Sequence, residues 1–302
     1  MKKSNKFDVI IVGGSYAGLS AAMSLGRAVR NVLIIDAGKP CNSQTPHSHN
    51  FLTQDGQSPG TISLTGKEQV LAYETVNFIT DEVLLVEGKN GCFFVTTASG
   101  ERFEGKKLLL ATGLKDALPS IKGLAECWGI SVIHCPYCHG YEYRSQPTGL
   151  LLNGESILEK TKLIRNWTSD LTVLTNGHAV LGNSDRNVLL RNGVSLIEKP
   201  IILLAHNKGY LDHVLFEDNT KLSVKALYAP PAVEQQSWIS EKLGCRMTSA
   251  GHIEVSNFQQ TSVPGIYAAG DNATPFRSIS AAVAAGSIAG AFINHELIDE
   301  GG

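Results

Sequence analysis

Apolar positions along this chain fall into short runs separated by glycine-rich or polar breaks, and the runs alternate between strand-like and helix-like character. Phe7–Val12 and Val32–Asp36 are β-rich runs, and between them Gly18–Arg27 has helical composition. A segment rich in Pro, Ser, His and Asn follows from Gly38 to about Gly60, and Lys67–Phe78 is predicted as an amphipathic helix. Val83–Val86, Cys92–Thr97 and Lys107–Ala111 predict strands, with turns at Lys89-Asn90-Gly91 and Ser99-Gly100. Leu118-Pro119 closes this block. Leu150–Leu152, Ser156–Trp167 and Leu171–Leu174 then repeat strand, helix, strand, and Pro230-Pro231 reads as an exit linker. Beyond it, Ile266–Ala269 predicts a strand and Ser278–Leu297 a helix. The expected class is α/β, with a dinucleotide-binding domain at 1–115 and 231–302 interrupted by a second Rossmann-like domain at 116–230.

Composition narrows the class further. A chain of 302 residues exceeds a single ordinary core, and 43% hydrophobic residues can fill two. With 26 Lys and Arg against 28 Asp and Glu, and no basic run, nucleic acid and anionic membrane are not expected partners. Six cysteines are too few for a disulfide-stapled secreted scaffold. Lys2-Lys3 followed by an apolar stretch imitates a signal peptide, but Asp8 and Gly13-Gly14 interrupt it. Ser278–Asn294 is uncharged and contains Gly286 and Gly290 at a spacing found in membrane helix dimers, yet it is rich in Ala and Ser. A closely packed helix in a cytoplasmic protein is the expectation.

Two motifs carry chemistry. Strand Val9–Val12 runs into Gly13-Gly14-Ser15-Tyr16-Ala17-Gly18 and a helix, and Asp36-Ala37 ends the next strand. This is the G-x-G-x-x-G dinucleotide fingerprint with Ser15 at its second glycine. Gly13 permits the turn, Gly18 permits close helix–strand packing, the helix N-terminus receives pyrophosphate, and Asp36 accepts ribose hydroxyls. The second motif is His134-Cys135-Pro136-Tyr137-Cys138-His139-Gly140-Tyr141-Glu142. Two cysteines at this spacing can form a redox disulfide, flanked by histidines able to move protons near neutral pH. Half of a zinc site is the bland alternative, with His134, His139, His47 or His49 to complete it. Cys41, Cys92, Cys127 and Cys245 are expected to be buried small residues.

Ala111-Thr112-Gly113 at a strand end and Gly265-Ile266-Tyr267-Ala268-Ala269-Gly270-Asp271 resemble the later signatures of two-dinucleotide flavoproteins. With the cysteine pair near residue 135, nearly the whole chain resembles the low-molecular-weight thioredoxin reductases. Its Cys-Pro-Tyr-Cys-His-Gly-Tyr-Glu run is closer still to the dithiol oxidases acting on holomycin- and gliotoxin-type metabolites. The resemblance implies FAD as cofactor and a homodimer. Asp271 would bind the ribitol and phosphate end, Asn50 would lie on the flavin side, and Arg277-Ser278-Ile279 would open a helix toward the flavin pyrimidine. Cys138 would face the flavin, and Cys135 would exchange with a small dithiol or disulfide or a thioredoxin-like protein. His139 stands where many reductases carry an acid, and becomes the expected proton-transfer group, with His134 second.

One part of the family pattern is missing. At the turn equivalent to the second fingerprint stands Leu151-Leu152-Asn153-Gly154-Glu155-Ser156-Ile157, and after the next strand Leu174-Thr175-Asn176-Gly177 has no basic residue for a 2′-phosphate. The expected activity is therefore FAD-dependent thiol–disulfide exchange without efficient use of NADPH. An NAD(P)H-dependent thioredoxin reductase, and a flavin- or zinc-bearing redox sensor without turnover, are the alternatives.

Overall fold

In this computed structural model residues 5–301 are described, so the Lys2-Lys3 pair lies outside the described residues. The backbone groups into two compact units, residues 1–43, 59–115 and 233–302 in the first, and 44–58 and 116–232 in the second. Residues 44–58 thus group with the inserted unit, against the expectation that everything before 116 belongs to the first.

The first unit opens with β1 (Lys6–Val12), α1 (Tyr16–Arg27) and β2 (Val32–Asp36), a parallel βαβ in which Val9 pairs with Val32 and Val12 with Ile35. Then come α2 (Pro59–Leu71), β3 (Val76–Thr80), β4 (Val83–Lys89), β5 (Cys92–Thr97) and β6 (Arg102–Leu110), and β7 (Leu114–Ala117) runs across the boundary at residue 115. The helix expected over Lys67–Phe78 is a correction: α2 stops at Leu71, and Val76–Thr80 is a strand paired in parallel with β2. Val76 and Phe78 face the same core as Val32 and Ile34, so burial on the sheet outweighs a helical pattern in the isolated segment. Successive residues of the central strands serve opposite faces. Val9, Ile11, Val32, Ile34 and Leu109 enter one core, and Ile10, Val12, Leu33, Ile35, Leu108 and Leu110 the other. A sheet covered on both faces reads as unbroken apolar runs, which is why these strands were visible.

The second unit contains α3 (Leu124–Cys127), β8 (Val132–Ile133), α4 (Pro136–His139), β9 (Thr148–Leu151), α5 (Ile157–Ile164), β10 (Leu171–Leu174), α6 (Asn183–Arg191) and β11 (Ser195–Ile197). β12 (Ile201–Asn207), β13 (Tyr210–Phe216), β14 (Lys221–Ser223) and β15 (Ala226–Tyr228) complete it. Its parallel sheet has the order β11-β10-β9-β15-β8. α5 and α6 cover one face through Ile157, Ile164 and Leu189, and the antiparallel β12-β13-β14 sheet covers the other through Leu204, Val214 and Phe216.

The chain returns through β16 (Ala232–Gln235), α7 (Ile239–Lys242), β17 (Ile266–Ala268) and α8 (Ile279–Asp299). β17 joins β6 in parallel, Tyr267 opposite Leu109. α8 is the one helix among the described residues long and apolar enough to cross a membrane. Here its small residues serve close packing on α1. A Cβ on Gly286 would fall 2.1 Å from the Ala17 carbonyl oxygen, and one on Gly290 would fall 2.6 Å from that of Ala21.

Candidate active site

The first unit builds a phosphate cradle at the C-terminal end of β1. Gly13 adopts φ +106°, and a Cβ there would sit 2.2 Å from the Ala111 carbonyl oxygen; one on Gly18 would sit 1.9 Å from the carbonyl of Gly13. Only glycine allows both approaches. Ser15 stands at the N-cap of α1 in an extended conformation, and its side chain accepts no amide of its own helix. The first-turn N–H groups are thereby left for an anion. The Gly14 N–H donates to Asp36 Oδ1 (2.8 Å) and the Gly38 N–H to Asp36 Oδ2 (3.2 Å), which aims the carboxylate beside this turn. Tyr16 and Ala17 begin α1, and Ala37 follows Asp36.

The other predicted segments of this unit converge on the same strand ends. Ala111 follows β6, and Gly270 (φ +97°) follows β17 with its Cβ position 3.1 Å from Ala17 Cβ. Thr112 accepts from Asn272 Nδ2 at Oγ1 (3.3 Å), and Gly113 adopts φ +69°. Asp271 pairs with Arg277, Nε to Oδ2 at 3.2 Å, both side chains largely buried. Ser278 caps α8 by accepting the Ala281 N–H (3.1 Å), so the helix begins at Ile279. Sequence reasoning missed Asn272. It is fully buried, Nδ2 donates to the Leu110 carbonyl (2.9 Å), and Oδ1 has no partner within the protein. A buried acceptor left open is costly unless something donates to it. A ligand with hydroxyls laid along these strand ends meets that need. The Cβ-free cradle, the uncapped helix and the open acceptor fit FAD. Asn50 belongs to the segment grouped with the second unit; it adopts φ +60°, with its N–H donating to Asp55 Oδ1 (2.7 Å).

The second unit carries the cysteines. Cys135 is the N-cap of the single turn α4, with Pro136 in first position, and is joined to Cys138 by a disulfide with Cα atoms 5.3 Å apart. The Cys138 N–H donates to Cys135 Sγ (3.2 Å), a donor suited to a thiolate once the disulfide opens. His139 ends the turn, half-buried, and its pKa is pushed down to about 4, first by burial and then by neighbouring His134 and His49. His134 stacks on Trp128 at 5.8 Å between ring centroids. Tyr137, exposed beside the pair, meets Trp167 edge-on at 5.5 Å. Among the described residues no group of three His, Cys, Asp or Glu side chains is arranged to hold a metal ion. The expectation of four buried cysteines needs correcting: Cys127 and Cys245 are buried, Cys92 is half-buried, and Cys41 is exposed on a loop. No core strand or helix carries Cys41, so nothing draws it inside.

The turn at the second fingerprint is closed by the protein itself. Asn153 Nδ2 donates to the His178 carbonyl (2.9 Å) and more weakly to that of Thr175 (3.4 Å), and its Oδ1 accepts the Val180 N–H (2.8 Å). Arg186, the nearby cation, makes two bonds to Glu198 (2.6 and 2.8 Å), and Glu198 also accepts the Ala179 N–H (2.7 Å).

A two-unit α/β fold with a dinucleotide cradle in one unit and a Cys-x-x-Cys disulfide in the other defines a flavin-dependent disulfide oxidoreductase. The pyridine nucleotide-disulphide oxidoreductase family matches residues 7–286. A thioredoxin reductase of Leptosphaeria maculans, sirT, is 32% identical over 97% of this chain and 94% of its own. An oxidoreductase from Agrobacterium tumefaciens is similar in structure, with a TM-score of 0.91 at 36% identity over 97% of this chain and 99% of its own. The protein HlmI gives a TM-score of 0.92 at 32% identity over 99% and 95%. The chain belongs to the pyridine nucleotide-disulphide oxidoreductases, among the thioredoxin reductase-like flavoproteins, enzymes whose family binds FAD and acts on disulfides.

Proposed function

We propose that this enzyme exchanges electrons between its flavin and an external dithiol through Cys135 and Cys138, and that it uses NADPH poorly. The closed turn at Asn153 carries this reading. A pyridine nucleotide needs open backbone N–H groups at that turn and a free cation for a 2′-phosphate. Asn153 spans the turn instead, Arg186 is held by Glu198, and Glu155 and Glu159 add negative charge at the start of α5. Each missing charge-assisted bond costs about 1.5–3 kcal/mol, or roughly ten- to hundredfold in affinity. The partner is a small-molecule dithiol or a thioredoxin-like protein.

In the oxidising direction His139, neutral at pH 7, takes the proton of a substrate thiol. The substrate sulfur bonds to Cys135 Sγ as the Cys135–Cys138 bond breaks, and Cys138 leaves as a thiolate. The second substrate sulfur displaces Cys135 and its proton passes to the departing Cys135 sulfur, so the substrate becomes a disulfide, Cys135 is left as a thiol and Cys138 as a thiolate. Bound in the first unit, FAD supplies a two-electron acceptor for that dithiol. With FAD bound, oxygen or a redox protein would serve as the final electron acceptor.

Anaerobic titration of the holoenzyme decides the matter. Dithiothreitol should bleach the oxidised flavin while NADPH and NADH leave it unchanged; rapid bleaching by NADPH overturns the reading. The relatives named thioredoxin reductase favour that second outcome, and thioredoxin-dependent NADPH oxidation lost on Cys135→Ser would establish it. We also read the enzyme as a cytoplasmic homodimer. Apolar side chains exposed on α2 and α8, Leu64, Leu71 and Ile288, support the dimer. Light scattering should return twice the chain mass of 32.4 kDa, and a single chain mass overturns it.

A further inference from the structure

One carboxylate in the second unit is surrounded by donors that would suit a phosphate. Glu198 directly follows β11 and accepts from both arms of the Arg186 guanidinium, Nη1 to Oε2 at 2.6 Å and Nη2 to Oε1 at 2.8 Å. Its Oε1 also accepts the Ala179 N–H (2.7 Å), and His178 Nδ1 lies 3.4 Å from the same oxygen. A forked guanidinium, a backbone N–H and an imidazole about one anion form a donor set that receives phosphate groups. Here the anion belongs to the same chain. Arg186, in the first turn of α6, also reaches the Leu181 carbonyl through Nε (3.4 Å) and the Ala179 carbonyl through Nη2 (3.5 Å), so Glu198 is not its only anchor.

The place of this cluster in the sheet gives it a meaning. β9, β10 and β11 are neighbouring parallel strands, with Leu151 opposite Leu174 and Leu174 opposite Ile197. In a doubly wound unit the turn after the first strand faces a pyrophosphate, and the loop after the second faces the adenosine ribose and any 2′-phosphate it bears. Asn153 closes the first of these places, and Arg186, Ala179 and His178 gather at the second. We propose that Glu198 is a built-in occupant of a 2′-phosphate site: its carboxylate takes the position of a phosphate monoester on Arg186 and the Ala179 N–H, and thereby excludes nucleotides that carry a 2′-phosphate. This rests on the reading that the inserted unit keeps a nucleotide-binding scaffold but uses NADPH poorly, and it goes beyond that reading. The donors for the phosphate are retained and occupied, although no basic residue directly follows β10 in the sequence. Taking away one carboxylate should therefore create a phosphate site.

The test is calorimetric titration of the holoenzyme with adenosine 2′,5′-bisphosphate and with adenosine 5′-monophosphate, which differ only in the 2′-phosphate. Wild type should not distinguish the two. Glu198→Ala should bind the bisphosphate at least roughly tenfold more tightly than the monophosphate, the worth of one charge-assisted bond. Adding Arg186→Met to Glu198→Ala should remove that preference. Asn153→Gly alone should not create it, because Glu198 still occupies Arg186. Equal or absent binding of the two nucleotides by Glu198→Ala overturns the proposal, and so does a preference that survives Arg186→Met. Should Glu198→Ala not fold, Glu198→Ser takes its place under the same criteria. A tenfold preference for the bisphosphate in the wild type overturns the proposal with no variant at all. Rapid flavin bleaching by NADPH would sink the proposed function, yet it leaves this test intact, since the titration reads binding and not electron transfer.

Discussion

Lys107 places a charged group inside the first unit. Its ammonium is fully buried and donates to Glu296 Oε1 and Glu300 Oε1, each at 2.6 Å, and to Asn90 Oδ1 at 2.7 Å. Tyr267 donates to the other oxygen of Glu296 and accepts from Gln260 Nε2 (3.2 Å), so β6, β17 and the end of α8 share one polar network. Removing the cation leaves Glu296 half-buried without its counter-charge and held by Tyr267 alone. Lys107→Met should therefore cost about 3–5 kcal/mol, far more than a surface pair. At roughly 2–4 °C per kcal/mol for chains this long, the melting temperature should fall by about 6–20 °C. A shift under 2 °C would show that the network contributes little. The cysteines follow the same logic of environment. Burial pushes the Cys127 thiol up to about 11 and raises that of Cys245, so both are inert as nucleophiles.

Among the elements, the contact of α1 with α8 links the core to the cofactor cradle. Gly286 and Gly290 bring α8 onto the backbone of α1 at Ala17 and Ala21, and the Ser20 hydroxyl donates to the Val283 carbonyl (2.7 Å). A side chain at Gly286 must push the helices apart just where α1 presents its N-terminus. Gly286→Val should cost about 1–3 kcal/mol from overpacking and weaken FAD retention as well. Fluorescence of flavin released on dialysis measures the second effect. Full retention in the variant would mean that the cradle is independent of α8. The element reading that failed, Lys67–Phe78, failed for a related reason. A short stretch of Val, Phe and Ile has no fixed period until a neighbouring strand claims it, and β2 does so through Val32, Ile34 and Asp36.

For the whole molecule, the two units have separate apolar cores, one pair around the β1–β6 sheet and the other around the β8–β15 sheet. Calorimetry of the apoprotein should resolve two transitions rather than one. Adding FAD at a hundred times its dissociation constant should stabilise one of them by about 2.7 kcal/mol and leave the other in place. A single transition that shifts as a whole would show that the units unfold together.

The chain alone determined the features that arise from local pattern. Continuous apolar runs marked the doubly covered strands, and the glycines of Gly13-Gly14-Ser15-Tyr16-Ala17-Gly18 marked a turn that only a missing Cβ allows. Cys135 and Cys138 were legible because three residues of spacing suffice to close a disulfide over one helical turn. What the sequence could not disclose are partnerships across long separations. Asn153 is an ordinary turn residue until Thr175, His178 and Val180 are brought to it by the β9–α5–β10 crossover. Nothing near Asn272 in sequence tells that its oxygen is buried without a donor. His49 and Glu142 stand far apart along the chain, and only the packing of segment 44–58 with the inserted unit makes them neighbours. Local geometry is written in adjacent residues, whereas burial and electrostatic pairing depend on which distant surfaces exclude water together.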